Sequence, residues 1–236
     1  YSDPALKELR TKMEGEPFRV FDLPGTFPQN GAGVHHLEAV GGFHDNELRW
    51  YRQFRGDQGN RNYLSGLLGQ QKDGTPYLAV GRISGGNNFL NLANVRFVLG
   101  RQGGPVRVFE NRAALGRLSL ATDYVVMDTA QTAGALKENR YDIRTTVALL
   151  EEPAEKPAPD APDTTVGDSA RPQLPAVDVT WERYTPNRRT ATVTVPRDGF
   201  LRISEVYYPG WEVLVDGRAA RVYQADLAWM AVYVEK

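Results

Sequence analysis

Cysteine is absent from the 236 residues. That removes disulfides, thiolate zinc sites, iron–sulfur clusters and a cysteine nucleophile from consideration. Long apolar runs are missing too. No window approaches the roughly 18 consecutive apolar residues of a membrane helix, and the opening YSDPALKELR lacks the charged and apolar regions of a signal peptide. Nor does one sign of charge dominate. Lys plus Arg number 28 against 29 Asp plus Glu, so no bulk field draws the chain onto nucleic acid or anionic lipid.

What is present is 41% hydrophobic, 10% aromatic and 24% charged residues, with 23 glycines and 15 prolines. This is the composition of a turn-rich globular protein, long enough to fold around a core without cross-links or a structural metal. At about 150 residues per domain the length falls between one domain and two. The chain opens on Tyr1 rather than Met, as expected of a piece of a longer polypeptide.

Asp3-Pro4 reads as a helix start, with Leu6, Leu9 and Met13 on one face and Gly15 and Pro17 as the stop. Phe18–Leu23 alternates like a strand, and the Pro, Gly and Asn residues after it predict a loop. A second helix is expected over Asp45–Arg55. A third is expected from Asn60, with Tyr63, Leu64, Leu67 and Leu68 at helical spacing. Tyr77–Val80 and Val95–Leu99 read as short buried strands, with a helical turn at Phe89–Ala93 before the second.

From Val106 the apolar period changes to two. Strands are expected at Val106–Phe109, Leu118–Leu120, Tyr124–Met127 and Thr145–Leu150, with one helix near Thr132–Glu138. Residues 151–172 then hold five prolines, six acidic and two basic residues and no aromatic, the composition of a disordered, solvated loop. Beyond it, strands are expected at Val177–Tyr184, Ala191–Val195, Phe200–Val206, Trp211–Val215, Ala220–Tyr223 and Trp229–Val234. Asp198-Gly199 and Asp216-Gly217 are the tight-turn dipeptides. Six strands in so short a stretch are few for two sheets, so Thr145–Leu150 is expected to join them. The fold class is therefore α+β: a mixed α/β domain over 1–140, then an antiparallel, jelly-roll-like β-sandwich over 141–236 that contains the acidic loop.

The run GFLRISEVYYPGWEVLVDG at Gly199–Gly217 resembles the C-terminal signature of the YfhO family of bacterial multi-pass membrane proteins. PFRVFDL at Pro17, GGFHDNELRWYRQF at Gly41, LNLANVRFVL at Leu90, VRVFENRAALGR at Val106 and ALKENRYDIRTTVALLEE at Ala135 follow the same family in the same order. The resemblance implies the extracytoplasmic region of a polytopic protein similar to glycosyltransferases that use a polyprenyl-phosphate-linked sugar. It also implies tethering to the cytoplasmic membrane, with the membrane-embedded part of the same polypeptide and an envelope glycan or polymer as partners. The catalytic carboxylate of that class lies in a loop between membrane helices, so no catalytic residue carries over.

Read residue by residue, the chain offers little chemistry. His35, His36 and His44 are the only histidines, and a metal site built on them is not expected; neither is a cofactor. Ser65, Ser84, Ser119 and Ser204 lack a nucleophile-elbow context, and Gly81, Gly85 and Gly86 lack the spacing and lysine of a phosphate loop. Glu151 and Glu152 sit at the edge of the acidic loop. The candidate carbohydrate contact is the corner Tyr207, Tyr208 and Trp211 with Glu205 and Asp216, where a flat ring stacks on a sugar face and a carboxylate takes its hydroxyls. The competing expectation is that Pro209-Gly210 turns the chain and Trp211 packs between the sheets. The functional alternatives are a non-catalytic domain of a membrane transferase, a stand-alone carbohydrate-binding module, and a free hydrolase for which no acid–base pair can be named.

Overall fold

The computed structural model describes residues 3–28, 30–41, 47–57, 59–70, 72–73, 76–79, 83, 87–101, 104–157 and 176–236. The protein is α+β and divides into two compact units, 1–117 and 118–236. The expected boundary at residue 140 differs from this division, because the strands over 118–126 and the helix that follows belong to the second unit.

The first unit opens with α1 (Pro4–Gly15), where Asp3 Oδ1 accepts from the Ala5 N–H at 3.1 Å and proline occupies the first turn. Its Leu6 and Leu9 face a core of Phe18, Val20, Phe97 and Leu99. The central sheet runs β1 (Arg19–Asp22), β4 (Val95–Gly100), β5 (Arg107–Glu110); β1 and β4 are parallel, β4 and β5 antiparallel. Ala39 extends the parallel side by bridging Val20. Short helices α2 (Gly31–Val34), α3 (Arg49–Arg55), α4 (Arg61–Leu64) and α5 (Asn88–Leu92) complete the unit with the hairpin β2 (Leu68–Gln70) and β3 (Pro76–Leu78). The expected third helix ends at Leu64, because Gly66 adopts φ +74 and Leu68 pairs with Leu78 instead of continuing the helix.

Asn side chains tie these helices to the sheet. Asn87 caps α5 through the Leu90 N–H and donates to the carbonyls of Asn62, Tyr63 and Ser65. Asn111 donates to Asn91 Oδ1 and Val95 O, and Asn94 donates to Leu115 O. Each satisfies backbone carbonyls that would otherwise be buried unpaired.

The second unit is built on a six-stranded sheet ordered β6 (Leu118–Ala121), β11 (Gly199–Ile203), β15 (Trp229–Val234), β14 (Tyr223–Ala225), β8 (Thr146–Leu149), β7 (Asp123–Val126). All neighbours are antiparallel except β7 and β8. β8 thus joins the C-terminal strands, as expected from their being too few for two sheets. The turn from β7 to β8 carries α6 (Thr129–Glu138), which starts on a capping box between Asp128 and Gln131. Two hairpins, β9 (Asp178–Thr185) with β10 (Arg188–Thr194) and β12 (Val213–Val215) with β13 (Arg218–Ala220), make the second layer. Alternation sorts the two faces of the large sheet. Leu120, Leu201 and Val232 pack with Val193, Val213 and Val215, while Ala121, Phe200 and Ala231 pack on the other face with Val147, Leu149 and Tyr223.

Of the two expected turn dipeptides only Asp216-Gly217 closes a hairpin; Asp198-Gly199 leads into β11, which does not pair with β10. Asp216 and Gly217 adopt φ 49 and 77, the left-handed pair of a two-residue hairpin. Gly199 begins β11 and is not left-handed; a Cβ there would lie 2.5 Å from the Ala121 carbonyl oxygen, so close strand approach requires the glycine.

Of the acidic loop, 151–157 is described and held to the sheet. The Ala154 N–H donates to the Tyr223 hydroxyl at 3.1 Å, that hydroxyl donates to Glu155 Oε2 at 3.1 Å, Tyr124 donates to Glu152, and Arg221 pairs with Glu151. The expected disorder therefore does not extend over these seven residues. Residues 158–172 lie outside the described residues.

Candidate functional site

The corner named from the sequence follows β11. Tyr207 donates its N–H to Ala228 O at 2.8 Å, and the Trp211 N–H closes a turn onto Tyr208 O at 3.0 Å around Pro209 and Gly210. Tyr208 is 54% exposed. Trp211, expected between the sheets, is half-buried instead. It lies under the Arg189 guanidinium, 5.6 Å from its ring centre, and the same guanidinium covers Tyr184 at 4.8 Å. Arg189 pairs with the buried Glu205 at 3.0 Å and donates to Thr185 O and Pro186 O. Trp181 meets Tyr184 edge-on at 5.1 Å.

Glu205 and Trp211 are therefore brought together, through Arg189. The carboxylate is engaged by a neighbouring cation and one ring face by a guanidinium, so the cluster braces the corner against β9–β10. Asp216 is exposed in the β12–β13 turn. Arg189 carried no sequence signal: only the fold places a strand residue eighteen positions upstream of Tyr207 beside the corner.

Sequence reasoning also missed a cleft of about 230 Å³ in the first unit. It lies where β1 ends and the chain turns through Pro24-Gly25, the carboxyl end of a parallel strand pair, a common place for ligands in sheets of this kind. Phe21, Phe27, Pro24, Pro28 and Leu64 supply apolar wall; Asp22, Arg55 and Asn60 supply polar groups. The turn is fixed by Leu23 N–H to Leu99 O at 2.9 Å and the Thr26 hydroxyl to the same carbonyl at 3.2 Å.

Arg55 is buried and bound to Glu47 through both Nε and Nη2, while its Nη1 donates to Asn60 Oδ1 at 2.9 Å. The carboxamide of Asn60 is thereby oriented: its oxygen must face the guanidinium, so its NH2 faces away. Burial pushes the Asp22 carboxyl above its ordinary value, opposed in part by a hydrogen bond from its own N–H. Gly41 adjoins both groups. A Cβ on Gly41 would sit 3.5 Å from Asp22 Oδ1 and 3.9 Å from Asn60 Nδ2. An acceptor and a donor thus flank a space that any side chain at 41 would fill.

The remaining polar candidates are structural or lie outside the described residues. The His35 ring packs against Phe27 at 5.2 Å and His36 adopts φ 56; His44, Ser84, Gly81, Gly85 and Gly86 are not among the described residues. Ser119 accepts from Arg202. Among the described residues no group of three or more His, Asp or Glu side chains is arranged to hold a metal ion, and no helix is long and apolar enough to cross a membrane. Compared with protein-family models, with curated proteins and with solved structures, the chain has no match.

Proposed function

We propose that this chain is the non-catalytic extracytoplasmic region of a membrane glycosyltransferase resembling the YfhO family, which positions an envelope acceptor polymer or stabilises the membrane-embedded part of the same polypeptide. The observation that carries the reading is where the six family-like segments fall. PFRVFDL is β1 and its approach, GGFHDNELRWYRQF leads into α3, LNLANVRFVL is α5 and β4, VRVFENRAALGR is β5 and its Asn111 turn, ALKENRYDIRTTVALLEE runs from α6 through β8, and YYPGW is the corner after β11. Five of the six run into or through a named helix or strand, as segments shared through a common fold would, and YYPGW forms the exposed corner between β11 and β12. In this reading the sugar-transfer chemistry belongs to the membrane part, and the region described supplies recognition and support.

This region is free of cysteine, so the test needs only the unsubstituted gene product as its labelling control. A single Tyr208→Cys substitution, at a 54% exposed position, is placed in the intact gene product and treated in spheroplasts with a membrane-impermeant maleimide. Labelling without lysis is expected. Labelling only after lysis would place the region in the cytoplasm and overturn the proposal.

A second reading, a stand-alone carbohydrate-binding β-sandwich module, is favoured by one observation: Tyr208 projects from the Pro209-Gly210 corner beside the half-buried Trp211. It predicts that Tyr208→Ala abolishes glycan binding by the isolated chain, whereas the first reading does not depend on that ring.

A further inference from the structure

We infer that the cleft beside Gly41 is a binding subsite for a single neutral sugar ring, with Asp22 accepting from one hydroxyl and Asn60 donating to another. The inference rests on the proposed role in handling an envelope glycan, and it places recognition in the first unit rather than at the aromatic corner of the second.

Three features specify the ligand class. The first is size: about 230 Å³ lies below the roughly 300–1,000 Å³ of sites for drug-sized molecules, and suits one ring rather than a stretch of chain. The second is the presence of one acceptor and one donor beside the same glycine. Asp22 Oδ1 and Asn60 Nδ2 both approach the same point beside Gly41, and the Arg55 bond to Asn60 Oδ1 fixes which end of the carboxamide is presented. A polyol carries adjacent hydroxyls that each donate and accept, so it satisfies both groups at once. The third is the wall. Phe27, Pro24 and Pro28 offer apolar surface to the C–H faces of a pyranose.

Charge narrows the class further. The cation of the cleft, Arg55, is engaged by Glu47 and Asn60, which leaves the Asp22 carboxylate as the uncompensated charge. A phosphorylated or uronic ring would set an anion against it, so a neutral ring is the occupant. Burial has already raised the Asp22 carboxyl, and a hydroxyl donor in the cleft replaces water that the carboxylate has partly lost.

The test is a nuclear magnetic resonance titration of the full 236-residue chain with the methyl glycosides of glucose, galactose and N-acetylglucosamine. At least one is expected to bind in the millimolar range and to shift the backbone amides of Gly41 and Asn60. Gly41→Ala places one methyl between the two polar groups at ordinary contact distances, on a backbone that is not left-handed, so it blocks the site without displacing its neighbours. It is expected to weaken binding by about tenfold or more, and Asp22→Asn by a similar factor, with thermal melts no lower than that of wild type as the control for folding. Failure of all three glycosides to bind, or equal binding by wild type and Gly41→Ala, would overturn the inference. So would shifts that map to Trp211 and Tyr208. The two proposals fail separately. Spheroplast labelling at position 208 without sugar binding removes the subsite and keeps the extracytoplasmic reading; sugar binding at Gly41 in a chain labelled only after lysis does the reverse.

Discussion

Arg202 and Asp226 form an ion pair sealed inside the second unit, their side chains 1% and 0% exposed. The pair is tied in on every side. Asp226 Oδ1 accepts from the Tyr141 hydroxyl at 2.9 Å and from the Ala148 N–H at 3.0 Å, while the Arg202 guanidinium donates to Ser119 Oγ and to Thr146 O. The network joins β6, β8, β11, the β14–β15 turn and the segment after α6. Burial, the Asp226 charge and the hydrogen bond to Asp226 together push the Tyr141 hydroxyl well above its usual pKa, so it stays protonated and donating throughout the neutral range.

Removing one charge of this pair leaves the other buried and alone. Asp226→Asn is therefore expected to destabilise the fold by about 3–5 kcal/mol in urea denaturation, whereas Arg202→Met combined with Asp226→Asn costs clearly less than the sum of the two single changes. A loss below about 1 kcal/mol for Asp226→Asn would mean that the guanidinium finds water or another partner.

At the aromatic corner the structure lowers the expected effect of Trp211→Ala. A fully enclosed tryptophan costs about 3–5 kcal/mol to remove, but Trp211 is half-buried and covered on one side by Arg189. The expected cost is about 1–2 kcal/mol, combining partial loss of apolar burial with one cation–π contact. Trp229, which is 0% exposed, is the residue where substitution by alanine reaches the larger range. Thermal melts of the two variants side by side check the ranking, and a Trp211→Ala melt as low as that of Trp229→Ala would contradict it.

Tyr223→Phe tests the anchoring of residues 151–157. It deletes the hydroxyl that accepts from the Ala154 N–H and donates to Glu155. The ring is buried and stays, so the global loss is about 1 kcal/mol or less. Local opening is the sharper readout: amide exchange at Ala154 should accelerate markedly while amides in β15 hold their protection. Unchanged exchange at Ala154 would show that Arg221–Glu151 and Tyr124–Glu152 suffice to pin the segment.

Which parts of this were legible in the sequence follows from how far each signal reaches along the chain. Local signals worked. Asp3-Pro4 begins a capped helix, the alternation of Trp229–Val234 is β15, and Asp216-Gly217 forms a left-handed turn, because each depends on a few adjacent residues. The β14–β15 turn had no such signal. Asp226 and Leu227 occupy positive φ without a glycine, and what holds them is the burial of Leu227 and the bonds to Asp226, which only the assembled sheet provides. The division at residue 117 was hidden for the same reason: β6 and β7 look like any alternating strands until β11 and β8 pair with them. The cleft depends on residues 22, 41, 55 and 60 meeting in space, and its defining feature is a missing Cβ at Gly41, which composition reads only as one more turn residue.

Asp22 yields a prediction whose sign can be fixed in advance. Burial raises its carboxyl above the ordinary 3.8, so over the interval between the unfolded and folded values the folded chain holds a proton that the unfolded chain has released. Stability attributable to this group therefore falls as pH rises through that interval and stays lower above it. Asp22→Asn removes the titrating carboxyl without changing the side-chain shape. At pH 7 the variant is expected to be more stable than wild type, and the advantage should shrink as pH drops through the folded value, reaching its floor below about 3.8. Urea denaturation of both proteins at intervals from acid to neutral pH measures it. A variant that is less stable than wild type at pH 7 would mean that the carboxylate has a compensating cation. The same measurement bears on the cleft, because an ionised group that costs the empty protein stability is one that a hydroxyl-bearing ligand can relieve: a sugar that binds beside Gly41 should stabilise wild type more than Asp22→Asn at neutral pH.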